Sequence, residues 1–380
     1  VERLYAEWDA LAQSSELPLM APAWLMAWWR HLAPKDARLR VVEIRDGSEL
    51  VGLAPFFAAP SRGRRQIDYH LLGTRLSAPL APLSRPGRER EVAAAIGNAL
   101  GRASPRPDLI VLKGTRSAPR WHKAISDGWP GRVKPISFVY LTQPYPTVSL
   151  GGASFEAWLA GRSSKFRTSM RRLTRLAGEE GATWRTSVEG TLREDIEAFQ
   201  RLHAARWRGR GDSSFTRHGQ RMVEMLHDAG SALIGDGRFR LLVMEIDGQP
   251  IAADIYLCGG GIVAGIGSGW DERWKRLSPP LLATMRTIED STKRGDVRLD
   301  MGAGDESHKT RFANGDSPLV ASVLLPPGRG LARTLALSGP TLADSAARDA
   351  AKRALTPGQV DTLRDIRRRV HRHASSWRSG

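Results

Sequence analysis

GIGSGWDERWKRLSPPLLATMRTIEDSTKRGDVRLDMGAGDESHKTRF occupies Gly265–Phe312, and its punctuation marks out a series of elements. The run ending at Ser268 reads as a strand, and Asp271–Leu277 reads as a charged, basic loop. Ser278 is a good helix N-cap, and Pro279 follows at the first helical position, where its missing N–H costs nothing. Leu281, Leu282, Met285 and Ile288 then recur at helical spacing until Gly295 supplies a stop. Val297–Met301 reads as a second strand, Glu306–Phe312 as helix or turn. Strand, basic loop, helix, strand and polar exit bring helix-terminus amides, cations and carboxylates to one strand end. That is suitable chemistry for an anionic group beside a reacting one.

Upstream, three strands are expected at Phe239–Ile246, Ile251–Leu257 and Ile262–Ser268, separated by Asp247-Gly248 and Gly259–Gly261 as hairpin connections. Before them, Phe166, Met170, Leu173 and Leu176 mark a helix with Lys165, Arg167, Arg171, Arg172 and Arg175 on its other faces. Thr183–Val188 reads as a short strand, Leu192, Ile196, Phe199 and His203 as the inner stripe of a helix, and Arg217–Ala229 as another helix. Leu319–Leu325 is a last strand.

The N-terminal half repeats this order in weaker form. Trp24, Trp28 and Trp29 lie in a helix over Pro22–His31, and Asp46-Gly47 joins strands at Arg40–Ile44 and Leu50–Phe57. Ile67–Leu72, Leu109–Leu112 and Ser137–Leu141 read as strands, Arg90–Leu100 and Trp121–Ile125 as helices. EIRDGSELVGLAPFF from Glu43 echoes EIDGQPIAADIYL from Glu245, so a duplicated unit is the economical reading. Chance likeness of two Asp-Gly hairpins is the alternative. Pro144–Pro146 with Gly151-Gly152 suggests a seam, giving expected domains at 1–150 and 151–330. An alanine- and arginine-rich, basic helical tail is expected over 331–380, with Pro340 and Pro357 as breaks.

Composition narrows the classes. The chain has 380 residues, 41% of them hydrophobic, which is ample for packed cores and excludes wholesale disorder. Its lone cysteine, Cys258, excludes an internal disulfide or a multi-cysteine metal cluster and suits a reducing compartment. No stretch reaches the roughly 20 apolar residues of a membrane span, and no apolar signal-peptide core is visible. The expectation is a soluble, cytoplasmic protein. A net charge of +17 favours anionic partners, whether nucleic acid, a phosphorylated donor or an anionic membrane face, against the plainer reading of a solvated arginine-rich surface. No zinc spacing, P-loop or dinucleotide-binding glycine pattern is present, so no metal is expected.

SSKFRTSMRRLTRLAGEEGA (Ser163–Ala182), LHAARWRGRG (Leu202–Gly211), MEIDGQPIAADIYL (Met244–Leu257), WDERWKRLSPPLLATM (Trp270–Met285) and GDVRLDMGAGDESHK (Gly295–Lys309) together resemble a known family. They look like the GNAT-type acetyltransferases associated with bacterial cellulose and exopolysaccharide gene sets, relatives of the Fem peptidyltransferases. The match covers roughly residues 155–315 through the order and spacing of its pieces; the N-terminal half resembles the family's first domain more loosely. The resemblance implies an α/β fold of the α+β, mixed-sheet kind with tandem GNAT-like domains. Pro280 stands where the family usually has glycine, and His308 where it usually has tyrosine before the lysine.

By this resemblance an acyl-CoA, with acetyl-CoA foremost, lies in a wedge between Ile262–Ser268 and Val297–Met301, touching Ile266 and Ser268. Its pyrophosphate would sit over Arg273–Leu281, with Arg273, Lys275, Arg276, Ser278 and Leu281 as contacts; the plain alternative is a solvated loop capped by Ser278. Asp254, facing the opposite way from Ile255 and Leu257 on its strand, is a candidate base, or else a solvent-facing or arginine-paired carboxylate. Asp300 is the second catalytic candidate, or part of a salt-bridged helix start. Trp207, Arg208, Asp305, His308 and Lys309 are substrate-site candidates. His203 joins them, although its place on an apolar stripe equally suits a satisfied core histidine. The expected activity is N- or O-acyl transfer to an envelope or exopolysaccharide precursor or a small amine. Competing readings are a Fem-like transfer from aminoacyl-tRNA, and a non-catalytic scaffold that binds an anionic polymer.

Overall fold

A computed structural model describes residues 1–354 apart from 62, 64, 65, 75, 77, 209–212 and 305. The first half runs α1 (Tyr5–Ser14), α2 (Pro22–Leu32), β1 (Arg38–Asp46), β2 (Glu49–Ser61), β3 (Gln66–Leu71) and β4 (Leu83–Ser84). It continues through α3 (Glu89–Gly101), β5 (Leu109–Arg116), α4 (Trp121–Asp127), β6 (Ile136–Gln143) and β7 (Pro146–Ser149). Next come α5 (Phe155–Ala160), α6 (Ser164–Glu179), β8 (Thr183–Thr186), α7 (Leu192–Trp207), α8 (Ser214–His218) and α9 (Gln220–Leu233). β9 (Phe239–Ile246), β10 (Gln249–Gly259), β11 (Ile262–Trp270), α10 (Pro279–Arg294), β12 (Arg298–Asp300) and α11 (Ser307–Phe312) complete the decisive stretch. β13 (Gly315–Asp316), β14 (Leu319–Leu325) and α12 (Leu331–Ala354) close the described chain.

The architecture is mixed α/β, with two sheets built on one plan. In the first, β1–β2 and β2–β3 are antiparallel, β3–β5 parallel, and β5–β14 and β14–β6 antiparallel. In the second, β9–β10 and β10–β11 are antiparallel, β11–β12 parallel, and β12–β7 and β7–β13 antiparallel. The Glu43 and Glu245 hairpins therefore occupy equivalent places, and the duplication read from the sequence is a duplication of topology.

The two units exchange a strand. β7, from before residue 150, lies beside β12 in the second sheet, while β14 returns to lie between β5 and β6 in the first. A single cut at 150 therefore does not describe sheet membership. The reason lies in β14, LVASVLL, which is buried along its whole length and needs partners on both edges.

One core runs through both halves: Trp8, Trp24 and Trp28 pack into the same cluster as Ile196, Phe199, Leu226 and Leu241. A second cluster fills the other face of the second sheet, joining Tyr256 and Val263 of the strands to Met170, Leu173, Leu282 and Ile288 of α6 and α10. Across β10, neighbouring residues feed opposite cores: Ala253, Ile255 and Leu257 face the first cluster, Ala252, Tyr256 and Cys258 the second. α12 lies against β6, and buried Asp349 accepts the Thr142 N–H at 3.0 Å. The tail beyond residue 354, including Arg364–Arg372, lies outside the described residues.

Candidate active site between the two sheets

β11 and β12 pair over only three positions, Ile262 with Arg298, Val263 with Leu299 and Ala264 with Asp300, and then part. The corresponding strands of the first sheet, β3 and β5, also pair over three positions, ending at His70 and Val111. A cavity of about 360 Å³ lies at these splayed ends. From the second unit it is lined by Asp254–Tyr256, Gly265–Ser268, Pro280, Thr284, Met301–Ala303, His308 and Lys309. From the first unit come Leu76, Ala78, Lys113, Gly114, Leu141 and Gln143, with Leu319–Ala321 of the returning strand.

The wall formed by β11 carries a bulge. Gly265 pairs with Tyr256 and Gly267 with Ile255, which leaves Ile266 as the extra residue on the cavity side of the ladder. Such a residue is released from regular pairing and re-aims the chain around it. Gly267 and Gly269 let α8 and α7 press on the back of this wall: a Cβ on Gly267 would stand 2.9 Å from the Phe215 ring of α8, and one on Gly269 2.5 Å from the His203 backbone nitrogen of α7.

Asp254 stands opposite Ser268 in the β10–β11 ladder and is 9% exposed. Among the described residues no hydrogen bond or ion pair holds its carboxylate. Burial pushes its pKa up to about 7, against the pull of the Arg206 cation. Arg206 itself donates to the Ser268 hydroxyl at 3.1 Å and lies 5.8 Å from the Trp270 ring centroid. An uncommitted carboxylate titrating near neutrality is suited to taking and releasing a proton.

Lys309 is anchored rather than free: its Nζ donates to Ala303 O at 2.8 Å and pairs with Glu306 at 3.0 Å. It thereby fixes the Gly302–Ala303 backbone that lines the cavity. Burial first, and then the neighbouring Lys309 cation, lowers the pKa of His308, which favours a neutral ring.

Asp300 occupies a different environment. It is fully buried, with one carboxylate oxygen 3.0 Å from Arg116 and the other 2.8 Å from Arg298. Arg116 belongs to the first sheet, so Asp300 joins the units. With both oxygens engaged by cations, it is not placed to act as a base. His203 is buried against Phe199 and Phe215, its ring nitrogens 2.7 Å from Ser268 O and from Ser213 Oγ. It supports β11 from behind as a satisfied core histidine and does not reach the cavity. Trp207 stacks on His203 at 5.9 Å, and neither Trp207 nor the exposed Arg208 lines the cavity. Asp305 lies outside the described residues.

The turn before α10 departs most from expectation. Ser278 is left-handed (φ 54°, ψ 57°), and its side chain caps nothing. Its N–H donates to Lys275 O at 3.0 Å, Pro279 and Pro280 have no N–H, and the Leu281 N–H closes back on Ser278 O at 2.9 Å. The positive helix end therefore presents no free amide. Arg273 folds onto Asp271 at 2.6 Å and Arg276 onto Glu180 at 2.5 Å. Of the three expected cations only Lys275 lacks an acid partner among the described residues. The pyrophosphate cradle expected here is not formed, and the residues present do not fit that group.

Ile266, Ser268, Asp254, His308 and Lys309 thus meet in one cavity, while Arg273, Lys275, Arg276, Ser278 and Leu281 do not line it. Sequence reasoning missed Lys113 and Gln143, which come from the first unit. The repeated strand–helix–strand order could have pointed to them, because it implies a second splayed end.

Residues 164–310 match the family model for the acetyltransferase (GNAT) domain. This region is a GNAT-type acetyltransferase domain. The GNAT match covers the bulged β11, the β11–β12 splay and Asp254, and an acyltransferase is the enzyme class it supports. No curated protein matches the chain. Among solved structures, FemX superposes with a TM-score of 0.61 at 10% identity, covering 87% of this chain and 98% of that one. The C-terminal domain of a putative lysylphosphatidylglycerol synthetase from Agrobacterium fabrum gives 0.55 at 10% identity, covering 90% and 96%. L-PGS from Bacillus licheniformis gives 0.54 at 13%, covering 88% and 95%. At these identities the likeness is one of fold, and it extends to both units. A GNAT domain implies a donor of the acyl-CoA class in general, with an acceptor substrate. Among the described residues no helix is long and apolar enough to cross a membrane, and no cluster of acidic, histidine or cysteine side chains could hold a metal.

Proposed function

We propose that the chain transfers an activated acyl group to an amine or hydroxyl within the cavity between the two sheets, with Asp254 as general base. The unpaired, buried Asp254 carboxylate at the β11–β12 splay carries this reading. The acceptor nitrogen or oxygen attacks the acyl carbonyl and passes its proton to Asp254. The carbon–sulfur or carbon–oxygen bond to the donor then breaks, and the proton leaves with the thiol or alcohol. An amide at the Ile266 bulge is the natural donor to the developing oxyanion, because a fixed N–H there needs no reorganisation. Anchored Lys309 and neutral His308 orient the acceptor.

The acceptor we favour is an envelope or exopolysaccharide precursor or a small amine, handled in the cytoplasm. Acetyl-CoA is the simplest donor to try. The closed turn before α10 favours a second reading, in which the acyl group arrives on a carrier other than coenzyme A, such as an aminoacyl-tRNA.

Thiol release from acetyl-CoA across a panel of amines and alcohols tests the chemistry, and calorimetry with acetyl-CoA tests the donor. Asp254→Asn is expected to lower kcat by roughly 10²–10⁴-fold with little change in KM. An unchanged kcat would remove Asp254 from the mechanism. Absence of heat at millimolar acetyl-CoA would exclude coenzyme A, and RNase sensitivity of the activity would favour the second reading.

A further inference from the structure

We infer that α6 and α10 form a docking groove for a small acidic protein that presents the acyl group on its own phosphopantetheine arm. The inference rests on the acyl-transfer reading of the cavity and names the class of donor. A groove of about 600 Å³ runs between the two helices. Arg171, Thr174, Arg175 and Gly178 form one wall at i, i+3, i+4 and i+7, a single helical stripe. Leu282, Met285, Arg286 and Glu289 form the facing wall with the same spacing. Met170 and Trp184 make an apolar floor. Two parallel stripes over such a floor leave the space that a third, amphipathic helix fills.

Charge selects the sign of that helix. Arg171 lines the groove and, like Lys165 and Arg172 beside the groove on α6, is exposed with no acid partner among the described residues, whereas Arg175 pairs with Glu179 and Arg286 with Glu289 within the walls. Over Lys165–Arg175 the cations span roughly 15 Å, about three turns. The matching partner bears acidic residues around apolar anchors. A nucleic acid would use the cations but not the apolar floor.

Position selects the cargo. α6 touches both segments that border the cavity: Arg276 pairs with Glu180 next to its C-terminal end, and α11 reaches it through Arg311 to Ser169 at 3.3 Å and Phe312 to Phe166 at 5.2 Å between ring centroids. The groove and the cavity also share α10, Leu282 and Met285 lining the one and Pro280 and Thr284 the other, so a helix seated in the groove is separated from the cavity by that single helix. The turn before α10 offers a pyrophosphate no free amide, but a carrier's single phosphate needs none there, because α6 binds the protein instead. The transfer balances without a further reactant: the acceptor amine forms the new carbon–nitrogen bond, the thioester bond breaks, and the carrier leaves as the free thiol with the amine's proton.

The test uses the full chain with a purified acidic acyl carrier protein, phosphopantetheinylated, acetyl-loaded and fluorescently labelled. Anisotropy should show saturable binding, weakened roughly tenfold or more by Arg171→Glu with Arg175→Glu. Gly178→Phe should weaken it as well, since a Cβ there meets nothing within 4 Å and the ring would fill the groove. All three positions are exposed, and unchanged thermal melts will show that the variants fold. No binding, or equal binding by the variants, overturns the inference. So does transfer RNA that displaces the carrier with the same arginine dependence, which would give the surface to RNA. Asp254→Asn, run in parallel, should stop transfer from the loaded carrier to primary amines and leave docking intact. If acetyl-CoA alone is turned over as well as the loaded carrier, and α6 reversal changes neither, docking fails while acyl transfer stands. If the carrier docks through α6 but no donor is turned over, acyl transfer fails while the surface stands.

Discussion

Asp254 and Asp300, on β10 and β12 with β11 between them, show how far two aspartates of one sheet can diverge. Asp300 is held between two guanidinium groups that reach it from different sheets. Removing the carboxylate leaves both cations partly buried, so Asp300→Ala should cost about 3–5 kcal/mol, read as a lower denaturation midpoint. Asp254 has no such partner, and its pKa of about 7 lies above the ordinary value of 3.8 because burial penalises the charge. Between roughly pH 4 and pH 7 the folded chain therefore binds a proton that the unfolded chain does not, so stability falls as pH rises through that window. Asp254→Asn should raise the melting temperature, more at pH 8 than at pH 5. Activity should run the opposite way: kcat/KM rises with pH through about 7 in the parent, and that limb is absent in the variant. The sequence marked both residues by their alternation against apolar neighbours. It could not distinguish them, because the partners of Asp300 include Arg116, 184 positions away.

Among the elements, those of Gly265–Phe312 are legible in the sequence. β11, α10 and β12 fall where strand alternation, helical spacing and Gly295 put them. What stayed hidden was hydrogen bonding, because a Ser-Pro start signals a helix without revealing whether its first amides remain open. The closed turn depends on Ser278 adopting a left-handed conformation and on Leu281 turning back to it, neither of which has a side-chain signature. The glycines of β11 carry no side-chain signal in the sequence, and their use is closeness. Gly269→Ala would drive a methyl group into the α7 backbone, with no side chain able to yield. A loss of about 1–3 kcal/mol is expected from such overpacking, together with reduced activity, because α7 braces the bulged strand; a thermal melt and a kcat measurement check both.

For the whole molecule, the sequence revealed the repeat but not the exchange. β14 is an ordinary apolar strand, β7 is a short Pro-Thr-Val-Ser strand inside the stretch read as a seam, and nothing local says which sheet either will join. The cavity inherits this arrangement, since Leu319–Ala321 of β14 form part of its wall. A chain ending at residue 317 would keep the whole region that matches the acetyltransferase domain, yet should fail to fold. Losing β14 leaves β5 and β6 without the strand between them, and expression with solubility and circular dichroism will report the outcome. The returning strand also sets a timetable for synthesis. The first sheet cannot close until the ribosome has made the entire second unit and released β14, so the N-terminal half must wait with an open strand slot while its partner folds. The second unit, whose last strand β13 precedes β14, is thereby the first able to complete its sheet.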